Sequence, residues 1–269
     1  MALRDEVRAQ REKARKKGFL ALIQWFFEYY RLPVLLIAGG IVLAVSLLAQ
    51  FLGKKETAFG AFFLNTAVAG TPEESEVREL LTERITEAAG LDPKKQQAEI
   101  DLSLFLTPGG NTSPYDMADQ TSIAARMSAG ELDVIVADVW NYDELLVDAA
   151  VSDLREVLTP EELAVFEGQL YYTDLKALVE EQRKRQDPDY FGETMPVQEA
   201  RDAEREDVFV LPDPATMAEP VPAGIVVTDA PFLRKYGVYS DTVCIFGFVN
   251  GSSRPERAKM FLQILLENA

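Results

Sequence analysis

The residues of this chain best suited to chemistry are few: Asn65, Thr107, Asn111, Asp138 and Trp140. Asp138 closes the apolar run 132–137 with Trp140 two residues on, a carboxylate beside an aromatic wall that suits an ammonium group. Thr107-Pro108-Gly109-Gly110-Asn111 offers successive backbone N–H groups that can hold an anion. Each has a plainer use: Asp138 as a helix N-cap with Trp140 in the core, and 107–111 as an ordinary turn. Absences narrow the chemistry further. With no histidine in 269 residues, Ser-His-Asp and Cys-His catalysis and histidine-based metal sites are excluded. The one cysteine, Cys244, lies in the apolar run 243–249 and reads as a buried structural thiol. Asp187-Pro188-Asp189 lacks the spacing and glycine of a calcium loop. No two carboxylates share a sequence context that raises one pKa, so no catalytic residue, metal or cofactor is expected.

These residues are singled out by position. In open α/β sheets, ligands collect beyond the carboxyl ends of parallel strands. Strand signals run over 62–68, over 98–107 with alternating Ile100, Leu102, Leu104 and Leu106, and over 132–137. Between them, Thr71-Pro72-Glu73-Glu74 starts a helix that faces Val77, Leu80, Leu81, Ile85 and Ala88 inward and stops at Gly90. A second helix runs over 114–129 to Gly130, and a third over 140–150. This strand–helix rhythm implies an α/β fold: an open parallel or mixed sheet with right-handed crossovers and helices on both faces. Asn65–Thr66, 107–111 and 138–141 then fall at its strand ends.

Residues 151–206 change character and read as a small helical insert, with helix starts at Thr159-Pro160-Glu161-Glu162 and a charged helix over 174–185. Residues 187–205 read as loop or exposed helix. Phe166, Tyr171 and Tyr172 cover the insert's contact with the sheet or form part of a partner surface. Strand signals return at 207–211, 223–228 and 242–250. The closing helix, 254–267, turns Ala258, Phe261, Leu262, Leu265 and Leu266 inward.

The amino-terminal quarter is of another kind. Residues 32–52 hold twenty-one residues without a charge, about 30 Å of helix and the thickness of a bilayer core. The expectation is a spanning helix preceded by a basic tail (1–18) and an interfacial amphipathic helix (19–31) anchored by Trp25, Tyr29, Tyr30 and Arg31. The excess of Lys and Arg before this run predicts a single-pass cell-membrane protein with a cytoplasmic N-terminus. A linker (53–61) would then lead to an extracytoplasmic domain (62–269). The apolar run is too long for a signal-peptide core, and the small-x-small site Ala58-Phe59-Gly60 lies past its end.

Residues 1–55 carry ten bases against four acids, a balance of +6, so the net −17 leaves −23 on residues 56–269. Nucleic acid is therefore not an expected partner. The lipid bilayer, a small-molecule or peptide ligand, and a membrane or envelope protein are.

Short motifs add a resemblance. Met127-Ser128-Ala129-Gly130-Glu131-Leu132-Asp133-Val134-Ile135-Val136-Ala137-Asp138 resembles the helix–Gly–strand segment of type II extracytoplasmic solute-binding proteins. Ser152-Asp153-Leu154, 223–229 and Asn250-Gly251-Ser252-Ser253 before the last helix are similar to later stretches of that family. Gln24-Trp25-Phe26-Phe27-Glu28-Tyr29-Tyr30-Arg31 resembles the aromatic lead-in of a group of Gram-positive, clostridia-like single-pass membrane proteins. The resemblance implies one lobe of such a fold with 151–206 as a reduced second lobe. It further implies a non-catalytic domain that binds a small ligand or peptide, or an interaction domain whose ligand cleft has been lost.

Overall fold

A computed structural model describes residues 18, 20, 35–46, 55–109, 113–190 and 195–267. The chain divides into two compact units, Met1–Lys54 and Lys55–Ala269.

In the first unit, residues 35–46 form a helix. Among the described residues no helix is long and apolar enough to cross a membrane. This corrects the spanning helix expected over 32–52, and with it the single-pass cell-membrane location. At 1.5 Å per residue the described helix extends only about 18 Å, against roughly 30 Å of hydrocarbon. Trp25, Tyr29, Tyr30 and Arg31, and the interfacial helix of which they are part, lie outside the described residues.

The second unit is an α/β sandwich on a mixed six-stranded sheet, in the order β2-β1-β3-β6-β5-β4. Its strands are β1 (Glu56–Leu64), β2 (Gln96–Leu104), β3 (Val134–Asp138), β4 (Leu170–Asp174), β5 (Pro220–Val226) and β6 (Cys244–Phe248). β1 pairs in parallel with β2 and β3, while β6, β5 and β4 extend the sheet in antiparallel steps. The parallel half is the β-α-β-α-β unit that the sequence rhythm implies. Its crossovers are α1 (Pro72–Ala88) and α2 (Pro114–Ser128), and α3 (Val139–Val147) leaves β3 directly.

Period-two alternation divides the central strands between two cores. Phe59, Ala61 and Phe63 of β1, with Val134 and Val136 of β3, face α1 and the closing helix α9 (Pro255–Leu266). Phe62, Leu64, Ile135 and Ala137 face α2 and α3 on the other side. Val77, Leu81 and Ile85 of α1 are buried as their spacing predicts, as are Ala258, Phe261, Leu262 and Leu265 of α9, whereas Leu80 and Leu266 are half-buried and Ala88, at the end of α1, is exposed. Cys244 is fully buried, and burial pushes its thiol up to about 12.

Three expectations for this unit change. β1 begins at Glu56, inside the expected linker, because Thr57-Ala58-Phe59-Gly60 is buried on both faces and so carries no alternation to read. Residues 207–211 form no strand. The insert is not purely helical: Tyr171 and Tyr172 belong to β4, which edges the sheet beside β5. The rest of the insert is α4 (Leu154–Val157), α5 (Pro160–Val165), α6 (Leu175–Arg185) and α7 (Val197–Ala203).

α3 is seated by Tyr142, which is fully buried across two sheet glycines and donates its hydroxyl to Ala223 O at 2.7 Å. A Cβ on Gly247 would lie 2.5 Å from that hydroxyl oxygen and one on Gly224 2.6 Å from it, so only glycine leaves room for the ring. This close seating fixes the amino terminus of α3 at the end of β3.

Candidate functional site

Asp138 is at once the last residue of β3 and the N-cap of α3, and its Oδ1 accepts Asn141 N–H at 3.1 Å. Its carboxyl is almost wholly buried, with 1% of the residue exposed. Two carboxamides hold it. Asn141 Nδ2 donates to Oδ1 at 3.0 Å and Oδ2 at 2.9 Å, and Asn65 Nδ2 donates to Oδ2 at 2.7 Å. Asn65 also closes a reciprocal pair with Leu106, donating to its carbonyl at 2.7 Å and accepting its N–H at 2.9 Å. That geometry needs Asn65 in the left-handed region, at φ 57°, a conformation asparagine tolerates better than most residues. The ends of β1, β2 and β3 are thereby joined by one polar network centred on Asp138.

The partner that completes the network comes from far along the chain. Glu204, the C-cap of α7, has 5% of its surface exposed. Its Oε1 accepts the Trp140 backbone N–H, one of the unpaired donors at the start of α3. Its carboxyl is also hydrogen-bonded to that of Asp138. Burial first, and then the charge of Asp138, push Glu204 up to about 9. Burial raises Asp138 as well, against the pull of the Asn141 and Asn65 amides. Two carboxyls in contact hold one proton between them. The sequence expectation that no acid pair has a raised pKa is overturned here. Nothing local could have found it: Trp140 and Glu204 are 64 positions apart, and Glu204 lies among charged residues that read as solvated.

Thr107 serves a second network. Its N–H and hydroxyl both donate to Asp116 Oδ1, at 3.3 and 3.2 Å, while Ser113 N–H donates to Asp116 Oδ2 at 2.7 Å in the capping box of α2. Burial pushes the Asp116 carboxyl up, but the donors from Ser113 and Thr107 outweigh it and the net shift is downward. Thr107, the first residue of the loop read as an anion holder, thus binds a carboxylate of its own chain. Gly109 O accepts Met195 N–H at 2.9 Å, and Asn111 lies outside the described residues.

Of the five predicted residues, the structure brings Asn65, Asp138 and Trp140 together. Trp140 is half-buried, and its indole Nε1 is buried without a hydrogen-bond partner among the described residues. Among the described residues, cavities lie elsewhere. One, of about 630 Å³, runs between α1 and the edge strand β2; another, of about 180 Å³, is lined by Asp133, Ser152 and Ser252 at the opposite end of the parallel strands. Among the described residues no three His, Cys, Asp or Glu are grouped to hold a metal ion. No family model, no curated protein and no solved structure matches this chain.

Proposed function

We propose that residues 55–269 form a non-catalytic interaction domain on a scaffold similar to one lobe of a solute-binding protein, with its ligand crevice filled from within. One observation carries this reading. The Glu204 carboxyl occupies the point beyond the strand ends, against Asp138 and the first turn of α3, where open α/β sheets bind their ligands. A protein partner is favoured over a small molecule because the insert keeps apolar side chains in solvent: Val165 on α5 and Leu175 and Val179 on α6. A small ligand at Asp138 is the second reading, favoured by the orphaned indole N–H of Trp140. It requires Glu204 to leave.

The test uses the full chain with a photo-crosslinking residue at Val179 or, as control, at exposed Glu87 of α1. The expected result is a discrete protein adduct from position 179 alone. In parallel, a thermal-shift screen against amino acids, peptides, sugars and polyamines is expected to leave the midpoint unmoved. A ligand that raises the midpoint, with no adduct at 179, overturns the reading.

A further inference from the structure

Among the described residues, 195–211 are tied to the rest of the fold mainly through backbone hydrogen bonds and one isolated bridge, Arg205 to Thr242. Met195 N–H donates to Gly109 O at 2.9 Å, and Ala200 is the buried residue of α7. Farther on, Glu204 O accepts Val243 N–H at 2.9 Å and Glu206 N–H donates to Asp241 O at 3.2 Å. Phe209 and Leu211 rest half-buried on the core beneath α3, whereas Val208 and Val210 stand in solvent. With so little apolar burial, this segment belongs to the low-stability end of the fold. Its buried polar contact with the parallel strands is the Glu204 side chain. Its Oε1 accepts from Trp140 N–H in either protonation state, but its contact with the Asp138 carboxyl needs a proton between the two acids.

We propose that residues 195–211 are a proton-held strap. Protonated Glu204 bolts it over the ends of β1 and β3, and loss of that proton frees it, uncovering Asn65, Asp138, Asn141 and Trp140.

No positive charge replaces the proton. Among the described residues no Lys or Arg pairs with Asp138 or Glu204. From α3 the facing group is Asp143, and from β4 it is Tyr171, whose hydroxyl donates to Asp143 Oδ1 at 2.7 Å. On the strap itself Arg205 is turned to Asp207, and Glu206 is taken by Arg234 of α8 (Pro231–Lys235). Once Glu204 ionises, it faces carboxylates with its solvation removed. In the closed strap it titrates at about 9, and in water near its ordinary 4.5, so the closed form keeps a proton that the open form sheds. Opening therefore grows about tenfold per pH unit across that interval and levels off beyond it. Acid seals the strap and alkali frees it, whichever partner the domain binds.

The test uses the full chain carrying Trp25→Phe, which leaves Trp140 as its one tryptophan. Amide exchange over 197–211, corrected for intrinsic rate, and Trp140 emission are followed from pH 5 to 9.5. The expected outcome is a tenfold loss of strap protection per pH unit with a shift in emission, while α1 and β3 stay protected. Glu204→Gln keeps both hydrogen bonds, its carboxamide oxygen accepting from Trp140 and its NH2 donating to Asp138, and has no proton to lose. Its strap is expected to stay equally protected at every pH. Wild-type protection that does not depend on pH overturns the proposal. So does a Gln variant that tracks wild type, or loss of strap and core protection together.

Discussion

The two ends of β3 carry the same chemistry in opposite settings. Asp133, just before the strand, is fully buried and faces a guanidinium: Arg254 Nε donates at 2.9 Å, beside Gly60 N–H at 2.9 Å and Ser252 Oγ at 2.5 Å. Asp138, at the far end, is as deeply buried and faces another carboxyl. A buried acid must be neutralised, and the two ends do so differently, one with a fixed cation and the other with a proton that pH can remove. Arg254 also reaches the carbonyls of Thr57 and Gly130, so the first arrangement ties the loop before α9 to the start of the sheet. The second ties only a thinly packed strap. The difference separates a keystone from a catch.

The largest effect is expected where the fixed pair is broken. Arg254→Ala takes the cation from buried Asp133 and leaves it only the Gly60 N–H and Ser252 hydroxyl, which costs about 3–5 kcal/mol and is read from the urea midpoint. At the other end, a raised carboxyl pKa means stability fully present below the ordinary 4.5 and lost as pH climbs toward about 9. Glu204→Gln is therefore expected to match wild type near pH 5. It should gain on it by about 1.4 kcal/mol per pH unit above that, up to the cost of opening the strap. A constant offset between the two curves would erase the contrast between the ends. Asn65→Gly keeps the left-handed backbone but removes the amide from Asp138 and Leu106, an expected loss of about 1–2 kcal/mol in the same unfolding assay. Ser252→Ala, which deletes one of several donors to Asp133, is expected to cost about 1 kcal/mol.

What could be read along the chain follows from how locally it is encoded. β3 was plain in 132–137 because a strand covered on both faces is a continuous apolar run. The inward faces of α1 and α9 were plain because periodicity records burial directly. Asp138 as an N-cap was among its foreseen uses, since the cap bond spans three residues. β4 was not foreseen: its five residues acquire their meaning from pairing with β5, some fifty positions later. The network at the strand ends lay half in view. Asn65 and Asp138 were found by the strand-end rule, while Thr107 was drawn into the cap of α2 by an acid nine residues downstream. The apolar run 32–52 gave the strongest local signal in the chain, yet its described helix is too short to span a bilayer.

By itself the sequence determined the elements whose hydrogen bonds and apolar stripes close within a few turns: the β-α-β-α-β core, its faces, the buried thiol, and the exclusion of histidine chemistry. Only the tertiary structure decided what fills the strand ends. The ionisation of Asp138 and Glu204 is a property of distance and desolvation, and neither quantity exists for two acids until the fold has brought them together and removed the water between them.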